Sequence, residues 1–129
     1  MRIISGTYKG RRLKTPSTLP VRPTTDRAKE ALFNILENRY YFEGKNVLDL
    51  FSGTGNIAYE FASRGCNDIT PIDNNSNCIN YINSTANELS FNITTIKSDC
   101  YKYIENCKQQ FNFIFADPPY NYEEYQELK

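Results

Sequence analysis

The sequence predicts an α/β fold built on a parallel, doubly wound sheet, and three observations carry that reading. From about Thr25 onward, short β-like runs alternate with helical stretches. Acidic or glycine-containing clusters follow directly after those runs. The last run, Phe111–Ala116 (FNFIFA), is apolar enough for the middle of a parallel sheet, where both faces are covered. Repeated βα units imply right-handed crossovers.

Taken in order, residues 2–5 (RIIS) and 10–13 (GRRL) flank Gly6-Thr7-Tyr8-Lys9 as the arms of a short basic hairpin. Residues 15–24 hold three prolines and read as an extended connector. A helix follows from about Thr25, with Ala28, Ala31, Leu32, Ile35 and Leu36 on one apolar face, and Gly44 ends that unit. Asn46–Phe51 is a strand, and a helix runs from about Asn56 to Arg64, closed by Gly65. Asp68–Ile72, Asn92–Ile96 and Phe111–Ala116 are the further strands, separated by helices at Ser76–Leu89 and near Tyr101–Cys107. The closing NYEEYQELK reads as a helix beginning. Pro71 lies inside the second strand, where it cannot donate a ladder hydrogen bond, so that strand either ends early or is locally irregular.

Composition narrows the chemistry. Hydrophobic residues make up 40% of the 129 and charged residues 23%, which is a globular balance. No apolar run approaches the ~18 residues of a membrane span, and the basic N-terminus has no apolar stretch behind it as a signal peptide would. The four cysteines form no CxxC pair and no metal-ligand spacing, which fits a cytoplasmic protein with reduced thiols. Histidine is absent, which excludes Ser-His-Asp and Cys-His catalysis and argues against a transition-metal site, so no metal is expected. The formal net charge of zero hides an asymmetry. Eight Lys and Arg face two acids in residues 1–30, leaving seven cations against thirteen acids in the remainder. A basic arm on an acidic body suits a docked polyanion, with Lys9, Arg11, Arg12 and Lys14 as its contacts; the plainer alternative is a solvated charged surface.

Ligands of parallel sheets bind beyond the carboxyl ends of the strands. Four signals fall there. In Asp49-Leu50-Phe51-Ser52-Gly53-Thr54-Gly55, two glycines let backbone approach a ligand, and an acid four residues before Gly53 fits a cofactor bearing an ammonium group better than one bearing a phosphate. An ordinary tight turn is the alternative. Asp73, at the next strand end, can accept both hydroxyls of a ribose, or can cap the following helix. Asp99 can accept from an adenine amino group, although a helix N-cap explains it as well. In Asp117-Pro118-Pro119-Tyr120, two prolines remove two N–H donors, leaving a carboxylate and carbonyls as acceptors and a ring as a stacking platform. That set suits the amine of a nucleobase, the alternative being a plain Pro-Pro turn.

Taken with Arg2-Ile3-Ile4-Ser5-Gly6, Lys9-Gly10-Arg11-Arg12-Leu13, Arg22-Pro23-Thr24-Thr25-Asp26-Arg27 and Glu30-Ala31-Leu32-Phe33-Asn34, these motifs make the chain resemble the RsmD family. Those methyltransferases act on a guanine N2 amine of small-subunit (16S) ribosomal RNA. The matching blocks span residues 2 to 120, and the N-terminal ones are the most specific. The resemblance implies a Rossmann-like S-adenosylmethionine-dependent methyltransferase fold, with residues 1–24 as basic hairpin and connector and residues 25–129 as the cofactor-binding domain. It implies that Asp49, Phe51, Gly53 and Gly55 line the methionine end of S-adenosyl-L-methionine, that Asp73 holds the ribose and that Asp99 reads the adenine. Thr24 and Arg27 would also touch the cofactor. Asp117, Pro118, Pro119 and Tyr120 would hold the target guanine as the catalytic motif. The implied partner is ribosomal RNA or the small ribosomal subunit, approached by a monomer. Family members continue with further strands, so a sheet truncated after its fourth strand is expected, with that strand left at an edge. Two other readings remain: an adenine-N6 DNA methyltransferase, which would need a DNA-reading segment, and a non-catalytic RNA-binding fragment of the same fold.

Overall fold

A computed structural model describes residues 1–14 and 25–118. Its elements are α1 (Asp26–Glu37), β1 (Asn46–Asp49), α2 (Asn56–Ser63), β2 (Asp68–Asp73), α3 (Ser76–Leu89), β3 (Ile96–Lys97), α4 (Cys100–Asn106) and β4 (Phe113–Phe115). The connector 15–24 and the expected closing helix lie outside the described residues. Every strand pair is parallel, in the order β3-β2-β1-β4. The chain therefore steps outward from β1 to β3 and returns across β1 to β4. That reversal puts the topological switch point between the ends of β1 and β4, where Asp49 stands opposite Phe115.

The irregularity at Pro71 has a physical account. Strand β2 runs straight through it, from Asp68 to Asp73. Ile69 bonds toward the β3 side, accepting from Thr94 and donating to the Asn92 carbonyl, and the Asp73 carbonyl accepts from Ser98 on that side too. With a period of two, Pro71 points its missing donor the same way. The β2–β3 ladder is interrupted there, between an isolated bridge at Ile69–Ile93 and the paired Ile72–Ile96. The third strand, expected over Asn92–Ile96, accordingly forms only at Ile96–Lys97.

Helix α1 starts where expected, with the Thr25 hydroxyl accepting from the Ala28 N–H at 3.2 Å. Its buried face is not the expected one. Ala28 and Ala31 are exposed and Ile35 is 57% exposed, whereas Lys29 and Phe33 are fully buried and Leu32 and Leu36 flank them. Phe33 is drawn inward by Phe61 and Phe42, whose rings lie edge-on at 4.7 and 6.0 Å. Lys29 is drawn inward by charge.

Glu60, in the middle of α2, has no exposed surface. One of its oxygens accepts from the Ile4 N–H at 2.9 Å and meets Lys29 Nζ at 3.2 Å. The other accepts from the Ser5 N–H at 3.1 Å and from Arg64 Nε at 2.7 Å. Lys29 Nζ donates further to the Arg2 carbonyl and, at 2.7 Å, to Asn56 Oδ1. Burial pulls the Lys29 pKa below the ordinary lysine value, and Glu60 opposes that shift. The hairpin closes through an antiparallel Arg2–Arg12 bridge and buries Ile3 and Leu13 against Tyr59, Ile82 and Leu89. At its tip, Gly6 (φ +90°) leaves no room for a side chain, because a Cβ there would lie 1.9 Å from the Ser63 carbonyl oxygen.

Removing one partner of a buried ion pair leaves the other charge uncompensated, at a cost of about 3–5 kcal/mol. Glu60→Ala is therefore expected to lower the unfolding free energy in urea by about that much, and Glu60→Gln, which keeps one acceptor, by less. A change within the noise of the measurement in both variants would show that the carboxylate does not hold the hairpin.

Candidate active site at the carboxyl ends of the strands

The turn after β1 is fixed by backbone. The Ser52 N–H and hydroxyl both donate to the Ile72 carbonyl, at 3.1 and 3.0 Å, and the Gly55 N–H donates to the Ser52 carbonyl at 2.7 Å. Gly53 and Gly55 take φ of +53° and +84°. Gly55 is required on a second count. A Cβ there would fall 2.7 and 2.8 Å from the tip of the Tyr59 ring, one turn along α2.

Asp73, at the end of β2, is built into this turn. One carboxylate oxygen accepts from the Gly53 N–H and the other from the Asn75 N–H, both at 2.9 Å. Each oxygen keeps a lone pair for a further donor. The capping role considered for Asp73 belongs to Asn75, whose side chain accepts from the N–H groups of Asn77 and Cys78. Asp99 lies beyond β3, one residue after Ser98, whose N–H donates to the Asp73 carbonyl. Its side chain caps α4 by accepting from the Lys102 N–H at 3.4 Å.

Asp49 is the anomaly of the site. It is 1% exposed, and neither carboxylate oxygen has a well-formed hydrogen bond among the described residues. Burial raises its pKa from 3.8 to about 7, with the charges of Asp73 and then Asp117 adding to the shift, while the Phe51 N–H opposes it. An acid so placed gains by meeting a cation. Phe51 is half-buried beside Leu48, Leu50, Ile72 and Cys100. Asp117 is exposed and Pro118 half-buried beyond β4, and Asp117 is near enough for its charge to act on Asp49. The strand ends thus gather Asp49, Phe51, Gly53, Gly55, Asp73, Asp99, Asp117 and Pro118. Arg27 is exposed on the first turn of α1, and Thr24, Pro119 and Tyr120 lie outside the described residues.

The basic hairpin runs beside α2. Its open end is near the glycine turn, with Met1 Sδ 3.5 Å from the Thr54 hydroxyl, and the Thr7 N–H at its tip donates to the Ser63 carbonyl at 2.8 Å. Lys9, Arg11, Arg12 and Lys14 are all exposed, and Arg11 is paired with Glu88 at 2.8 Å. The sequence reading missed the Lys29–Glu60–Asn56–Arg64 group. The available signal was Glu60, a charged residue in the middle of the otherwise apolar run Ile57–Ala62. No helix of the described residues is long and apolar enough to cross a membrane.

Residues 1–129 match, over their full extent, the family described as Conserved hypothetical protein 95. The chain belongs to that family. YlbH of Bacillus subtilis is 36% identical over 93% of this chain and 67% of its own length. Ribosomal RNA small subunit methyltransferase D of Escherichia coli is 31% identical over 93% of this chain and 60% of its own length. The solved structure of yhhF from Escherichia coli shares 29% identity and superposes with a TM-score of 0.81, over 94% of this chain and 65% of that one. The chain thus spans 60% to 67% of the length of these family members. The fold is the Rossmann-like methyltransferase fold.

The Asp49 environment fixes a pH dependence. Because its folded pKa lies above its unfolded value, its contribution to stability is complete below about pH 4 and is lost as pH rises toward 7. The difference corresponds to about 4 kcal/mol at most. Asp49→Asn is therefore expected to gain stability relative to the wild type across pH 4–7 and to hold that gain above 7, as read from urea midpoints. A difference independent of pH would remove Asp49 as the titrating group.

Proposed function

We propose that this protein transfers a methyl group from S-adenosylmethionine to the exocyclic N2 amine of a guanine in small-subunit ribosomal RNA. The observation that carries the cofactor part is Asp49, a buried carboxylate without a good partner, placed at the switch point with a second acid, Asp73, anchored to the glycine turn. A ligand with an ammonium group and a ribose diol suits that pair. The RNA part is supported by family members named ribosomal RNA small subunit methyltransferase D.

The residues divide the work. Asp49 accepts the ammonium group, with the backbone at Phe51, Gly53 and Gly55 close by. Asp73 accepts the ribose hydroxyls with the lone pairs left after its two backbone bonds, and Asp99 accepts from the adenine amino group. S-adenosylmethionine, when bound, supplies an electrophilic methyl on a sulfonium. The target amine is a poor nucleophile because its lone pair is delocalised into the ring. Asp117 and the Pro118 carbonyl accept its two N–H groups and localise that lone pair, with Pro119 fixing the backbone and Tyr120 offering a ring to the base. The gain is alignment and charge placement. Lys9, Arg11, Arg12 and Lys14 contribute phosphate contacts.

Two substitutions separate the roles. Asp73→Ala is expected to weaken cofactor binding tenfold to a hundredfold by calorimetry, about 1–3 kcal/mol for an acceptor lost from a buried site. Asp117→Ala should leave that affinity nearly unchanged and slow methyl transfer by about 10²-fold, the scale of one preorganised electrostatic contact. Asp117→Asn should retain part of the rate. Near-normal rates in both Asp117 variants would withdraw its catalytic assignment, and cofactor binding without any transfer to ribosomal RNA would favour a non-catalytic RNA-binding role.

A further inference from the structure

A second surface stands at the opposite end of the sheet. Between α1 and β1 the chain places Arg39, Tyr40, Tyr41 and Lys45 around a cavity of about 300 Å³, completed by Asn112 and Phe113 at the start of β4. Tyr41 is 88% exposed and Tyr40 53% exposed. Tyr40 is held edge-on against Phe113 at 5.5 Å, whereas no ring contact engages Tyr41 among the described residues. Neither Arg39 nor Lys45 has an acidic partner among them. Glu43, between the two in the chain, stands against Gly65 and does not line the cavity.

Tyr41 thus presents an exposed ring between two cations that have no acidic partner among the described residues. We infer that this patch docks a single-stranded segment of the RNA substrate, one base stacking on Tyr41 and its flanking phosphates meeting Arg39 and Lys45. Aromatic rings bracketed by cations are the means by which proteins hold unpaired nucleotides. The placement fits a substrate that also reaches the catalytic end. Phe113 and Asp117 are four residues apart on one segment, no more than about 14 Å even if fully extended, so one RNA molecule can touch both. The patch also borders the basic hairpin. The Thr7 N–H at the hairpin tip donates to the Ser63 carbonyl, and Gly44, next to Lys45 in the chain, donates to the Gly65 carbonyl, so both surfaces are tied to the segment that ends α2.

The inference rests on the RNA-methyltransferase reading, and the test keeps the two apart. The affinity of a fluorescein-labelled single-stranded ribosomal RNA oligonucleotide would be measured by anisotropy as a function of salt, alongside calorimetric binding of S-adenosylmethionine. Tyr41→Ala should weaken RNA binding about tenfold, the scale of one lost stacked base, while Tyr41→Phe keeps it. Arg39→Ala combined with Lys45→Ala should flatten the log–log salt dependence by about 1.4, at about 0.7 per phosphate contact on a single strand. Cofactor binding should be unchanged in all three variants. RNA binding by the wild type that none of these variants alters would overturn the patch and leave the RNA reading standing. A wild type that binds cofactor but no RNA would overturn both. A dimer in sedimentation that Tyr41→Ala dissociates would assign the patch to a second copy instead.

Discussion

The carboxylate of Glu60 has been taken wholly out of water, a state that is stable only while every donor around it is in place. Those donors come from separate stretches of chain: the N–H groups of Ile4 and Ser5 in the hairpin, Lys29 in α1, and Arg64 one turn further along α2. Lys29 passes the constraint on to the Arg2 carbonyl and to Asn56. Arg64 passes it on to Glu37 at 3.0 Å and lies over the Phe33 ring at 4.8 Å. A buried charge cluster of this kind is a weak source of net stability, but it ties the hairpin, α1 and α2 to one shared set of donors and acceptors.

The glycine turn inherits that rigidity. Asn56, held by Lys29, is the first residue of α2 and follows Gly55 directly, so the helix start is pinned from one side while Asp73 pins Gly53 from the other. Asp49 contrasts with Glu60: both carboxylates are buried, but both Glu60 oxygens accept hydrogen bonds and neither Asp49 oxygen has a well-formed one among the described residues. Burial first, and then the charges of Asp73 and Asp117, raise the pKa of Asp49, where the rest of the network is built to satisfy charge. The strain is local and sits at the reversal of strand order, which is where a parallel sheet offers a crevice to a ligand.

Much of this was legible in the sequence. Helix α3 has the expected bounds because its signals are local, an Asn75 cap at one end and Ser90 in the left-handed region at the other. The strand-end acids were legible for a topological reason: parallel strands must all point the same way, so residues after successive strands converge without any knowledge of packing. What stayed hidden depended on distant partners. The apolar repeat of α1 suggested a face on Ala28, Ala31, Leu32, Ile35 and Leu36, of which only Leu32 and Leu36 pack on the core; the orientation follows from Glu60, 31 residues beyond Lys29, and from Phe61. Pro71 was visible as a problem, and its resolution required knowing which neighbour its backbone faces. The missing hydrogen bonds of Asp49 were not legible, because a motif records which groups are present and not which are left unsatisfied.

The hairpin precedes the elements that hold it, since its anchors are Glu60 and Ser63 in α2 and Ile82 and Leu89 in α3. Closing these contacts means joining residues up to 81 positions apart, as in the bond from the Tyr8 hydroxyl to the Leu89 carbonyl, and such closures are slow to form. The hairpin can close on itself through its local bonds, but it cannot dock fully until α3 has been made. Its dense positive charge then has a use before the fold exists, because a strongly charged segment resists collapse onto the apolar strands that emerge behind it.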